Sequence, residues 1–238
     1  MRCLVILTMA LGIGKAAGPV PVLAELFTSE GCSSCPPADR LLERLDRMQP
    51  VAGARVIVLS EHVDYWNQLG WRDPFSAPAF SRRQEQYSRV LGCEVATPQL
   101  VVDGRFPVIG SDAAAVEKAI ARAAARDKAP VRIAEARREG GEAAVRLSIP
   151  ALAKGRAEVW VAAADEADRS SVERGENAGR TLTHVAVVRA LTKVGKVDRS
   201  EGMEKTVRVP AGAAAGRVIV FLADGGGEIL GLDAAPLP

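Results

Sequence analysis

Residues 20–48 read VPVLAELFTSEGCSSCPPADRLLERLDRM, and the organisation of the chain follows from how this stretch changes character. Val20 to Phe27 is apolar and β-branched apart from Glu25, the pattern of a buried strand. Thr28 to Gly31 break that strand, and Cys32, Ser33, Ser34 and Cys35 follow. Pro36 and Pro37 come next, where a starting helix has no use for backbone donors; Asp39 adds acid to its first turn, and Ala38, Leu41, Leu42, Leu45 and Met48 recur at helical spacing. A CxxC pair is therefore expected at a helix N-terminus, directly after a strand.

Reading outward, Val56 to Leu59 form a second strand run, and a loop from Glu61 carries Tyr65, Trp66, Trp71 and Phe75 in a chain that is only 4% aromatic. Pro78 begins a helix with Phe80, Tyr87 and Leu91 on one face. Thr97 and Pro98 introduce the strand Gln99 to Val102, which Asp103 and Gly104 turn into a return strand, Phe106 to Ile109. An Ala-rich helix, Asp112 to Arg126, ends this half. The element order strand, helix, strand, helix, strand, strand, helix is similar to that of thioredoxin. In that layout the first two strands run parallel and the third antiparallel, so the cysteine turn, the segment after Leu59 and the Thr97-Pro98 turn meet at one sheet edge.

From Val131 the texture changes. Val145, Leu147 and Ile149 alternate with Arg146 and Ser148, and β-rich runs recur at Glu158 to Ala163, Thr181 to Leu191, Lys205 to Val209 and Val218 to Leu222. Gly140-Gly141 and Gly225 to Gly227 supply turns between them. The expected fold class is α/β, a thioredoxin-like domain over 19–127 followed by an all-β, sandwich-like domain over 131–238.

The 238 residues suit one to two domains of roughly 150 residues each. With 48% hydrophobic and 25% charged residues, disorder and multi-span membrane classes fit poorly. The formal charge is +2 and basic residues are interleaved with acidic ones, so nucleic acid is not expected as a partner. Residues 1–18 run from Arg2 through the apolar stretch Cys3 to Gly14 to Lys15 and small residues, a secretory leader pattern shorter than a membrane span of about 20 residues. Its removal would leave Cys32, Cys35 and Cys93 in a compartment that permits disulfides, periplasmic or secreted, with no membrane span in the mature chain.

Four stretches, ELFTSEGCSSCPPADRLL, HVDYWNQLGWRDPFSAPAFSRRQEQY, TPQLVVDG and RGENAGRTLTHVAVVRAL, resemble the thioredoxin-like family of unknown function 1223, found in exported bacterial proteins and in plants. The resemblance spans most of the chain after the leader. It implies a thioredoxin-like N-terminal domain with a β-rich C-terminal domain, and no demonstrated reaction.

The chemistry is argued from the pair itself. Backbone N–H groups and the helix dipole favour thiolate over thiol at a helix N-terminus, so Cys32 is the expected nucleophile. Cys35, one turn along, is placed to attack a mixed disulfide on Cys32 and release the substrate. Glu30 opposes the thiolate, because a nearby carboxylate raises a thiol pKa. Gly31 stands where thioredoxin has Trp, and Leu26 where it has a buried acid. Glu25 is the nearest substitute, but strand alternation turns it to the other face, where pairing with an Arg is the expected role. Thioredoxin-like folds carry a cis-proline opposite the cysteines, and Pro98 matches that position. The Thr97-Pro98 bond is therefore expected to be cis, with the Thr97 backbone beside Cys32 for a substrate strand to pair with. Cys32, Cys35 and Pro98 are the candidate catalytic residues, with Thr97, Tyr65 and Trp66 lining the substrate cleft.

The leading expectation is an exported thiol-disulfide oxidoreductase acting without a cofactor on a protein or small dithiol or disulfide. A second reading is a copper-chaperone-like metal-handling protein using Cys32, Cys35 and His62, although His62 bonded to its own loop is the plainer role and no metal ligands are assigned. A third is a non-catalytic binding protein with a static disulfide. Asp64 and Asn67 either line the cleft or pack their loop. Cys93 reads as a spare buried thiol and His184 as structural. Arg174 to Arg180, RGENAGR, reads as a loop that docks the two halves or binds a partner.

Overall fold

The computed structural model describes residues 18–238. The expected leader, apart from Gly18, lies outside the described residues.

The first half runs β1 (Val20–Thr28), α1 (Pro36–Met48), β2 (Ala54–His62), α2 (Pro78–Leu91), β3 (Gln99–Val102), β4 (Phe106–Ile109) and α3 (Ala113–Ala124). β1 pairs with β2 in parallel and with β3 antiparallel, and β4 returns along β3. Side chains alternate across β1. Val22, Ala24 and Leu26 pack on α1 and α3 through Leu42, Leu45, Val116 and Ile120, while Leu23 faces α2 and shares a cluster with Phe80. A sheet covered on both faces needs apolar residues on both, which explains the near-continuous run of β1. Pro36 begins α1 as expected, and Asp112 caps α3 by accepting a hydrogen bond from the Ala115 N–H at 3.0 Å.

The β3–β4 turn uses Asp103 at φ 52° and Gly104 at φ 63°, the left-handed pair a tight hairpin needs. A Cβ on Gly104 would also stand 1.9 Å from the Gly227 carbonyl oxygen. The Asp103 carboxylate accepts from the Leu23 N–H at 2.9 Å and from Lys128 Nζ at 2.6 Å, and its own carbonyl accepts from the Ile229 N–H, so this turn ties the two halves together.

The second half comprises β5 (Arg132–Glu139), β6 (Glu142–Ile149), β7 (Arg156–Ser171), β8 (Thr181–Asp198), β9 (Met203–Pro210), β10 (Ala215–Ala223) and β11 (Ile229–Pro236). β5, β6 and β9 form a three-stranded sheet, and the other four strands join the first half in one eight-stranded sheet of order β11-β10-β7-β8-β2-β1-β3-β4. Val145, Leu147 and Val209 of the small sheet share a core with Val159, Val161, Val218 and Val220 of the large one. The chain is thus mixed α/β with a large, mostly β sheet and few helices. The strands of the second half continue the first sheet. The join is narrow, a parallel pairing of Ser60 in β2 with Val187 in β8. It covers an edge of β2 that would otherwise present unpaired backbone groups. The expected run at Glu158 to Ala163 lies in the first half of β7 and that at Thr181 to Leu191 begins β8, and the two strands form a long hairpin whose tip reaches the cysteine turn.

Candidate functional site around the Cys32–Cys35 disulfide

Cys32 and Cys35 form a disulfide with Cα atoms 5.4 Å apart, at the junction of β1 and α1. The turn is fixed locally: the Cys35 N–H donates to the Cys32 carbonyl, and the Ala38 and Asp39 N–H groups donate to the Cys35 carbonyl. Pro36 and Pro37 contribute no donor there.

The Thr97–Pro98 peptide bond is cis, the conformation expected from the sequence. Sγ of Cys32 lies 3.8 Å from the Thr97 carbonyl oxygen and 3.3 Å from the Ser34 hydroxyl. Trp66 Nε1 donates to the Thr97 hydroxyl at 2.8 Å. Gly31 lets the Trp66 residue approach closely, since a Cβ on it would meet the Trp66 Cβ at 3.2 Å. Tyr65, beside Trp66, donates its hydroxyl hydrogen to Gln84 Oε1 at 3.1 Å. The structure therefore brings Cys32, Cys35, Thr97, Pro98 and Trp66 together from distant sequence, with Tyr65 next to them.

Both cysteines are 0% exposed, while Ser33 and Ser34 between them are exposed. The second half reaches the cysteine turn through the β7–β8 connection. Asn177, itself buried, donates to the Glu30 carbonyl at 2.8 Å and the Cys32 carbonyl at 2.9 Å, and Glu176 Oε2 accepts from the Ser33 N–H at 2.9 Å. The RGENAGR segment docks the halves, one of the two roles its composition suggested.

Glu30 is the hub beneath the pair. Trp71 Nε1 donates to its Oε2 at 2.8 Å, the Ser170 hydroxyl donates to Oε1, and His184 Nε2 stands 3.3 Å from Oε1. Burial pushes the Glu30 carboxyl up, but these three bonds outweigh it and hold it below the usual carboxylate value. His184 is pushed down by burial and lifted further by Asp39, whose Oδ1 is 3.7 Å from Nδ1, and by Glu30, for a result of about 10. His184 is thus an imidazolium at neutral pH. The chain's two histidines meet here, with ring centroids 4.6 Å apart, and Phe75 packs on both. His62 Nδ1 pairs with Asp73 Oδ2 at 2.7 Å. Burial raises the Asp73 carboxyl, and His62 with the Glu30 and Phe75 N–H groups bring it below its ordinary value.

His62 therefore takes the loop-bonded role, and among the described residues no group of three or more His, Cys, Asp and Glu is placed to hold a metal ion. Asp64 accepts from the Ser81 hydroxyl and Asn67 bonds Ser76 and the Asp73 N–H, so both organise the aromatic loop. Glu25 lies on the opposite face, bonded to Arg83 and Tyr87 at 2.7 Å each, as expected for a buried acid. Cys93 is a half-buried free thiol accepting from Gln99 Nε2 at 3.5 Å. Asp73 and Ser170 were not singled out from the sequence, and Trp71 and Asn177 were marked only as members of the aromatic loop and of the RGENAGR segment. Trp71 and Asp73 lie in the aromatic loop, and Asn177 in the charged Gly-bearing segment, so position alone was the available signal. No described helix is long and apolar enough to cross a membrane.

Comparison with known structures places this geometry among relatives. A crystal structure of protein AGR_C_4864 from Agrobacterium tumefaciens is 31% identical, with a TM-score of 0.68, and the match covers 93% of this chain and 96% of that one. HBP35 of Porphyromonas gingivalis, at 14% identity and a TM-score of 0.60, shares the fold over 94% of this chain and 77% of its own. Among curated proteins none matches significantly. A family model matches residues 23–223, from β1 through β10, and the chain belongs to that family, described as protein of unknown function (DUF1223).

Proposed function

We propose that this protein is a thiol-disulfide oxidoreductase of an oxidising compartment, periplasmic or secreted, with a thioredoxin-like unit over 19–127 and a β-rich unit over 131–238 that completes its site. The observation that carries this reading is the 3.8 Å separation of Cys32 Sγ from the Thr97 carbonyl at the cis turn. The parallel β1–β2 pair flanked by antiparallel β3, with the cysteines at the first strand-to-helix junction, supports the thioredoxin-like assignment. The leader pattern and the disulfide support the compartment.

A substrate thiolate attacks Cys32 Sγ, the Cys32–Cys35 bond breaks, and Cys35 leaves as a thiolate that takes up a proton. A second substrate thiolate then attacks the substrate sulfur of the mixed disulfide and releases Cys32. Two electrons and two protons pass from a substrate dithiol to the pair, and the reverse sequence reduces a substrate disulfide. Cys32 and Cys35 carry the exchange. The Thr97 backbone at Pro98 aligns the incoming segment, and Tyr65 and Trp66 wall the cleft.

Complete burial of both sulfurs favours one second reading, a static disulfide that only holds the turn. The Cys32–Cys35 reduction potential, measured by equilibration with glutathione or dithiothreitol, separates the two. An exchanging pair falls between about −120 and −270 mV, and a structural one below about −300 mV. The expected result is the first, and the second would overturn the proposal.

A further inference from the structure

The charged segment between β7 and β8 has no task in the exchange chemistry, yet it makes the contacts that close the cysteine turn. Of residues 172–180 only Val172 and Asn177 are buried. The segment is bonded to itself, with the Val172 N–H donating to the Arg180 carbonyl, the Gly179 N–H to the Val172 carbonyl and the Ala178 N–H to the Gly175 carbonyl. Its hydrogen bonds to the cysteine loop are the two from Asn177 and the one to Glu176. The other polar atom of the Asn177 amide, Oδ1, accepts from Arg180 Nη1 at 3.0 Å, so both ends of the amide are used while the segment is down. Gly175 at φ 77° rests on the aromatic loop, where a Cβ would meet the Trp71 Cβ at 3.2 Å.

Attack on a disulfide requires the nucleophile to reach a sulfur, and both sulfurs are 0% exposed. Of the elements packed around the cysteine turn, Trp66 is tied to Thr97 and belongs to a loop anchored by the buried His62–Asp73 pair. The 172–180 turn is a hairpin tip whose displacement breaks no strand pairing of the sheet. We infer that residues 172–180 are a cap over the Cys32–Cys35 disulfide that lifts before exchange, and that Asn177 is its latch. Asn177 is thus a positioning residue, acting through the Glu30 and Cys32 carbonyls and setting how often Cys32 is open to attack. The inference rests on the proposed oxidoreductase reading for its biological use, but cap opening is measurable with a chemical reductant alone.

The test is the rate of disulfide reduction by the uncharged tris(hydroxypropyl)phosphine. The phosphine attacks Cys32, the S–S bond breaks, Cys35 leaves and is protonated, and water converts the phosphorus adduct to phosphine oxide and Cys32 thiol. Asn177→Ala removes both bonds from the latch and is expected to speed reduction at least tenfold, equivalent to about 1.4 kcal/mol. Glu176→Gln, at an exposed site, is expected to speed it two- to threefold. Rates equal to wild type in both variants would overturn the cap. Hydrogen exchange in the wild-type protein gives a reading independent of any variant. The Ser33 amide, bonded to Glu176, should exchange much faster than the core amide of Leu26, and exchange of both only through global unfolding would overturn the inference. A very negative reduction potential with a fast Asn177→Ala reduction would instead refute the oxidoreductase reading and leave the cap standing.

Discussion

Nε2 of His184 stands 3.3 Å from Oε1 of Glu30, joining the second strand of the β7–β8 hairpin to the residue two places before Cys32 across 154 residues of chain. The contact turns a strand histidine into part of the floor of the cysteine turn. It also makes the site dependent on both halves of the protein.

His184 therefore has a stability role with a definite pH window. Its folded pKa is raised from 6.5 to about 10, so protonation favours the fold. That contribution is fully present below pH 6.5 and is lost as pH rises through about 10. His184→Ala leaves Glu30 and Asp39 without their buried cation, and removing one partner of such a group costs about 3–5 kcal/mol. Urea unfolding at pH 7 is expected to show a loss of that order, shrinking by pH 10.5. A variant as stable as wild type at pH 7 would contradict the ion triad.

Glu61 is shifted in the same direction as His184, but its pH window begins from the carboxylate value. It is fully buried next to Glu25, both its oxygens lack a hydrogen-bond partner, and the Arg83 guanidinium at 3.5 Å is shared with Glu25. Burial raises its carboxyl well above 4.5 and Glu25 adds to the rise, against the pull of Arg83. The protonated form is favoured in the fold, so this stabilisation is present below pH 4.5 and is lost as pH rises through the folded pKa. Glu61→Gln removes the titration and is expected to raise stability at pH 8 by roughly 1 kcal/mol, with a smaller gain at pH 4. Thermal melts at the two pH values check the difference.

The three described cysteines should be distinguishable by alkylation. Cys93 is half-buried and unpaired, so iodoacetamide is expected to label it equally before and after reduction. In the reduced protein Cys32, nearest the exposed Ser34 hydroxyl and the Thr97 carbonyl, should be labelled before Cys35. Peptide mapping at neutral pH reads the order, and faster labelling of Cys35 would reverse the assigned roles.

Gly104 is the most constrained glycine of the first half. Its φ of 63° and the 1.9 Å approach a Cβ would make to the Gly227 carbonyl oxygen leave no room for a side chain. Gly104→Ala is expected to cost roughly 2–4 kcal/mol and to loosen the contact between the β3–β4 and β10–β11 turns. A stability within experimental error of wild type would show that this approach relaxes freely.

Much of this architecture is legible locally. Apolar continuity marked β1, the double proline and the Leu41, Leu42 and Leu45 spacing marked α1, and Asp103-Gly104 marked the hairpin, because each depends on residues a few places apart. The CxxC position followed from those two elements, and the Thr97-Pro98 geometry followed from the resemblance. Alternation marked β6 and the glycine pair its turn to β5. Tertiary structure alone decided that β8 lies against β2, that the two histidines touch, and that Asn177 bonds the Cys32 carbonyl. Those relationships depend on which edge and face two distant segments share. Burial energy and hydrogen-bond satisfaction settle that only when the whole chain packs, and local periodicity carries no record of it.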